Sequence, residues 1–432
     1  DPDTFSQTNY QEADRVLAKW KSLVDEAEKI YASLPVNERD AFYELVLYPT
    51  KASALVTKIY VTAGKNHLYA LQGRASANDL AAQVRALFQA DADLSAEYNH
   101  KLANGKWNHM MDQTHLGYTS WQQPDTNVMP EVRPISLHDA ASMGIAVEGS
   151  VLPWQSGLHD ELSLSFDVFN QQRRYIDVFN HGKAPFEFSV NTTAPWILVE
   201  PERGTVAKDQ RIWVTIDWDK APSGSPSGYV FLDDTAGQTA NVPITLFNPQ
   251  QPTRSSLHGF VEADGYVSIE AEHYTKKLDT PQASWQKIDD YGRTLSSMSI
   301  FPVTAKSVTP PADSPSLEYQ MYLFHPGKLG VEAILAPTLN FVPGRGLRYA
   351  ISFDDQPPQI IDALAQNTQR DWEQSVEDSV RKVKSTHIVE GVGYHTLKVW
   401  MVDPGVVLQK LVVDLGGVKP SYLGPPESFH NP

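Results

Sequence analysis

Gly105-Lys106-Trp107-Asn108-His109-Met110-Met111-Asp112-Gln113-Thr114-His115-Leu116-Gly117-Tyr118-Thr119-Ser120-Trp121-Gln122-Gln123-Pro124 divides the chain into two kinds of sequence. Before it, Val16, Trp20, Leu23/Val24, Ala27 and Ile30/Tyr31 recur at three and four with charged residues between, the pattern of one buried helical face. Pro35 ends this helix, and Asn37 is placed to cap the next over Phe42, Leu45 and Val46. Pro49 predicts a kink or restart, after which Leu55, Ile59 and Leu68 continue the apolar stripe. A third long helix from Ala77 carries Leu80, Val84, Leu87/Phe88, Leu94 and Tyr98 and closes near Asn104-Gly105. Short connections between long helices imply antiparallel neighbours, so residues 1–134 read as a bundle of four or five helices ending in a Trp/His-rich loop.

The quoted stretch has no helical or strand period, and Pro124, Pro130 and Pro134 forbid long regular elements after it. From about Met143 the period falls to two: Leu162 to Phe166, Tyr175 to Phe179, Phe186 to Val190, Ile212 to Ile216 and Val242 to Leu246 alternate between turn residues. Residues 135–252 therefore read as an immunoglobulin-like β-sandwich, with Asn248 to Thr253 as linker. Residues 253–432 read as a second sandwich with strands at Tyr266 to Glu270, Leu317 to Phe324, Leu347 to Phe353, Tyr394 to Val402 and Val407 to Asp414. One helix, Thr368 to Val383, interrupts it, with Trp372, Val376 and Val380 on one face. From Pro425 onward the chain reads as disordered or surface-bound. The predicted fold is a multidomain α+β arrangement: an N-terminal antiparallel helical bundle followed by two antiparallel β-sandwich domains.

A net charge of −16 with no run of five Lys/Arg argues against nucleic acid as a partner. With no cysteine, disulfides, thiolate catalysis and Cys-ligated metals are excluded. No segment approaches the roughly 18 apolar residues of a membrane span, so no membrane is expected. The abrupt start at Asp1-Pro2-Asp3 suits a mature, truncated or processed product. Asn191-Thr192-Thr193 fits the N-glycosylation pattern, and no Gly-x-Ser-x-Gly elbow is present.

The segment from Gly105 to Pro124 resembles a signature stretch of glycoside hydrolase family 115, and Asn9-Tyr10-Gln11-Glu12-Ala13-Asp14 and Tyr266-Val267-Ser268-Ile269-Glu270-Ala271-Glu272-His273-Tyr274 are consistent with that family in the same order. Members of the family are inverting enzymes that remove glucuronic acid or its 4-O-methyl ether from xylan. They place an α/β domain and a (β/α)₈ barrel before a helix bundle and β-sandwiches. The resemblance implies a secreted or periplasmic protein, glucuronoxylan or aldouronic acid as ligand, an N-terminal catalytic half of the same enzyme as partner, and a homodimer. It also implies that the catalytic carboxylates lie on the barrel, because no βα series appears here and a barrel takes about 250 residues. On this reading the chain is the C-terminal accessory half of a xylan α-1,2-glucuronidase. The alternative is a stand-alone carbohydrate-binding or scaffold protein.

Within that frame Trp107, Tyr118 and Trp121 are candidates to stack on a pyranose, and His109, Asp112 and His115 to hydrogen-bond it, with core packing, helix capping or backbone bonds as the competing roles. His109 and His115 are six apart, which is wrong for a helical zinc pair. The segment Ser268 to Tyr274 also resembles the first strand of carbohydrate-binding modules, in which the positions of Glu270 and Glu272 help hold a structural calcium; a solvated strand face is the other reading. No further cofactor is expected.

Overall fold

The computed structural model describes residues 1–119, 124–154, 162–365 and 368–431. Helix α1 spans Glu12–Ser33, and left-handed Tyr10 and Gln11 set its start. Helix α2 (Val36–Phe42) runs through a π-helical turn, Tyr43–Leu47, into α3 (Tyr48–Leu71), and α4 covers Ala77–His100. Pro49 is the second residue of α3, and the wider turn before it accommodates its ring without breaking the rod. Asn37 is not the cap of α2: extended Leu34 and Pro35 lead in, Pro35 holds the cap position, and no side chain caps it. The buried stripe of α1 is narrower than its sequence predicts. Ala13, Val16 and Ala27 are buried, whereas Leu23 and Ile30 are exposed. The reason is that α3 packs against both α1 and α4, leaving α1 at the edge of the layer. After α4 the chain reverses through left-handed Ala103, Asn104 and Gly105.

The polypeptide then returns along the helices in extended form. Asn66 and Asn78 hold it by pairing their side-chain amides with the backbones of Arg133 and Ile135.

The first sandwich packs a four-stranded sheet, in the order Met143–Val147, Arg174–Asn180, Asp209–Ile216, Ile197–Glu200, on a five-stranded one. The second sheet runs Leu164–Asp167, Thr239–Phe247, Ser227–Asp234, Phe186–Thr192, Arg203–Val206. Alternation puts Phe166, Ile176, Phe188, Ile212, Val230 and Ile244 into one core and polar residues outside. Pairing is antiparallel except that Leu164–Asp167 runs parallel to its neighbour.

The terminal sandwich faces a seven-stranded sheet onto a six-stranded one around Trp285, Tyr319, Tyr349 and Phe353. Its helix, α5 (Gln369–Glu377), is shorter than the apolar spacing predicts. Thr368 caps it with Asp371, left-handed Ser379 ends it, and Arg381–Val389 pairs as a strand with Gly327–Leu335. Ladder pairing thus overrides a helical pattern that Val380 continues only by coincidence. The tail from Pro425 is neither disordered nor laid on the surface. Ser428 exchanges hydrogen bonds with Ser268, and His430–Asn431 adds to Gly259–Val261. A cluster of Phe169, Leu257 and Val261, joined by Phe247, Phe324 and Phe429, binds the two sandwiches together.

Candidate functional site

Two buried polar residues on α4, Asp91 and Asn99, organise the Trp/His-rich loop. Eight residues of helix separate them, about 12 Å along the axis. The Asn99 amide donates to Asp112 Oδ1 at 2.7 Å, and its oxygen accepts from the Met111 N–H at 2.9 Å. Asp112 Oδ2 lies 2.6 Å from His109 Nδ1, and left-handed backbone at His109 helps turn the ring back to the carboxylate. Further along, His115 Nε2 meets Asp91 Oδ2 at 2.8 Å while its Nδ1 lies 3.0 Å from the Gln113 carbonyl oxygen. The loop therefore presents two exposed imidazoles, each oriented by a carboxylate, along one face of α4.

The anchoring is local. Leu116 is fully buried against Ile59, Ala63 and Val84. Gly117 donates to the Tyr60 hydroxyl, and a Cβ there would lie 2.5 Å from that of Val128, so no larger residue fits. Trp107 packs partly into the Tyr43–Tyr98 cluster, with the Lys106 ammonium over its ring. Tyr118 is open to solvent and donates to the Thr114 carbonyl. Trp121 lies outside the described residues. Of the residues singled out from the sequence, His109 and Asp112 come into contact, His115 sits apart with Asp91, Tyr118 is exposed and bonded only within the loop among the described residues, and Trp107 packs partly against the core. Asp91 and Asn99 were missed; their signal is a pair of polar residues on the helix face that otherwise carries Val84, Leu87 and Tyr98.

The hydrogen bond that His115 donates to the Asp91 carboxylate raises its pKa above the ordinary value, against burial. A folded-state pKa above the unfolded one means this pair stabilises fully below about pH 6.5 and loses its contribution as pH rises through the folded value. Titrating His115 by NMR is expected to give a midpoint above the ordinary one, and Asp91→Asn should bring it back down; an unchanged midpoint in that variant would contradict the geometry.

Glu270 and Glu272 diverge. Glu270 is buried, accepts from Thr294 Oγ1, and lies 3.1 Å from the buried Lys410 Nζ. Burial pushes the Lys410 ammonium below the usual lysine pKa although Glu270 opposes this. Glu272 instead faces Lys287 at 3.3 Å and His273 at 3.7 Å. A cation on Glu270 would have to displace Lys410, so these residues as arranged do not fit a calcium cradle.

A cavity of about 560 Å³ opens where the N-terminal residues meet both sandwiches, and four acidic residues line it: Glu148, Asp167, Glu262 and Asp264. Burial raises the Glu148 carboxyl and raises Asp167 to about 6. Such values suit a general acid, but the geometry does not. Asp167 is 3% exposed and accepts from the N–H groups of Phe169 and Asn170. Glu262 accepts from two N–H groups and His325, and Arg174 lies 2.8 Å from Asp264 and 3.7 Å from Glu148. Each carboxylate is turned to a protein partner, as in a structural clamp.

These units define a multidomain protein in which a helical layer and a solvent-facing loop stand before two β-sandwiches, the second the larger. Residues 259–427 match the family model of the glycosyl hydrolase family 115 C-terminal domain, the family that the chain's motifs resemble. Among solved structures, a family GH115 4-O-methyl-α-glucuronidase with specificity for decorated arabinogalactans is 14% identical, with 94% of this chain and 33% of that one covered and a TM-score of 0.47. The chain thus spans about a third of that protein's length. The C-terminal family 6 carbohydrate-binding module of LamC, a laminarinase from Zobellia galactanivorans, is 12% identical, covering 34% of this chain and 98% of its own at a TM-score of 0.24. A family 35 module from Clostridium thermocellum is 14% identical, covering 34% and 97% at 0.25. No curated protein matches the chain.

Proposed function

We propose that this chain is the accessory, C-terminal half of a secreted or periplasmic xylan α-1,2-(4-O-methyl)glucuronidase. The observation that carries the reading is the match of residues 259–427 to the family 115 C-terminal domain, in a chain whose Gly105–Pro124 stretch resembles the family's signature. The helical layer supports the catalytic half. A groove between α1, α3 and α4, floored by Leu17, Trp20, Val24, Leu55 and Leu94, offers about 1090 Å³ for that contact. The loop around His109, Asp112, His115 and Tyr118 closes one wall of the sugar pocket, where oriented imidazoles and an exposed phenol ring position glucuronoxylan or aldouronic acid without taking its proton. The acid and base required for inversion come from the catalytic half, and the sandwiches mediate homodimer contacts.

Positioning and chemistry separate in the kinetics. In the enzyme carrying both halves, the double variant Asp112→Ala/Tyr118→Ala is expected to raise KM for aldouronic acid about tenfold while kcat stays within about threefold. Unchanged kcat/KM would remove the loop from the pocket.

A further inference from the structure

The outer face of the five-stranded sheet in the first sandwich carries a row of groups that the accessory role leaves unused. Tyr229, Phe231 and Asp233 point outward from one strand at successive alternate positions, about 7 Å apart. The Tyr229 and Phe231 rings are 6.0 Å apart with 27° between their planes, and Tyr229 is 42% exposed. Their neighbours in register are Asn191 and Asn241 beside Phe231, and Ser189 then Arg203 beside Asp233. Where the row reaches Arg203, a shallow cavity of about 370 Å³ is lined by Glu187, Ser189, Arg203, Thr205 and Asp233. Neither Arg203 nor Glu187 has an ion-pair partner among the described residues. Two rings inclined at 27° next to amides, the Arg203 guanidinium, the Glu187 carboxylate and an Asp233 carboxylate already held by Thr239 at 2.6 Å suit a ligand with flat apolar faces and hydroxyls on its rim.

We infer that this face binds a neutral pyranose oligosaccharide, such as an undecorated stretch of xylan backbone, with sugar rings on Tyr229 and Phe231 and hydroxyls bound by Glu187, Asp233 and Arg203. The charge balance selects the class. Glu187, Asp233 and the neighbouring Asp234 outnumber Arg203, so a uronate carboxylate is repelled while neutral hydroxyls can donate to the carboxylates and accept from the guanidinium. The site would keep the chain on bare backbone while decorated residues are processed elsewhere. The inference rests on the carbohydrate reading above but not on any contact with the catalytic half.

Calorimetric binding of xylohexaose and of aldouronic acid to the full chain tests it. Wild type should bind xylohexaose, and aldouronic acid no more tightly. Tyr229→Ala/Phe231→Ala should weaken xylohexaose by about tenfold or more. Amide shift changes in the wild-type chain should fall on residues 187–193, 203–205 and 227–241, which locates the site even if the double variant fails to fold. Absence of binding, full affinity in a folded double variant, shifts elsewhere, or a dimer that the double variant dissolves would each overturn it. Failure of the accessory reading would appear separately, in uronate release.

Discussion

Asp177→Ala is expected to destabilise the protein by about 3–5 kcal/mol, because it strips a buried ion network of its central anion. The Asp177 carboxylate lies 2.8 Å from Arg211 Nε and 3.0 Å from Arg74 Nη1. Arg74, just after α3, is 2% exposed and stacks on Tyr69 and Phe179, so its charge has no route to water. Without Asp177, among the described residues, the one anion left to it is Asp209 at 3.5 Å, beside a hydrogen bond to the neutral Gln72 side chain at 2.6 Å. The network is one of the contacts that fasten the helical layer to the first sandwich, beside the Ala75–Asn180 backbone bond and the Lys208–Asp79 pair, so its loss should appear as a lower urea midpoint together with easier proteolysis at Gln72–Ala75. Burial alone would raise the Asp177 pKa, but the guanidiniums of Arg211 and Arg74 outweigh it and hold the carboxyl below the ordinary value. A depressed folded pKa means the contribution is complete above about pH 4 and is lost as pH falls toward the folded value. Wild-type stability should therefore drop below about pH 4, and that part of the drop should vanish in Asp177→Ala. A loss under about 1 kcal/mol with an unchanged acid limb would mean the network is idle.

Glu12→Ala should come second, at about 3 kcal/mol. The Glu12 carboxylate is fully buried and accepts from the N–H groups of Ser6 at 2.7 Å, Leu423 at 2.6 Å and Tyr422 at 3.1 Å. It closes the N-terminal residues onto a segment more than four hundred positions away, and Tyr10 and Asn9 add hydrogen bonds to Lys419 and Pro420. Three half-buried backbone donors would lose their carboxyl acceptor at once. Hydrogen exchange at Tyr422 and Leu423 should speed up by at least about a hundredfold, the equivalent of that energy. Retained protection at both amides would show that another group takes over.

The two periods of apolar residues made the order of helices and sandwiches legible, since burial on one face of a helix or strand leaves a direct mark on sequence. Pro35 and the Asn104-Gly105 pair gave helix ends for the same local reason. What failed depended on distant partners. Val380 fits the α5 stripe, yet Arg381–Val389 is claimed by a strand over fifty residues earlier. The tail after Pro425 has weak local signals and is ordered by Ser268 and Gly259–Val261. In the site, His109 and Asp112 were each legible as candidates from their residue types in one loop, but their mutual contact was not, and Asp91 is tied to His115 across 24 positions. Glu270 and Glu272 shared a strand pattern, but the buried Lys410 that answers Glu270 sits 140 residues on. Tyr229 and Arg203 belong to strands that sequence alone does not register against each other.

On the proposed reading, this polypeptide shapes and grips while hydrolysis is performed by carboxylates outside it. Incubating the purified chain with aldouronic acid and quantifying free glucuronic acid tests this directly. No release above the spontaneous rate is predicted. Enzymatic turnover by the chain alone, abolished by Glu148→Gln, would contradict it and make the acidic cavity between the sandwiches the active site.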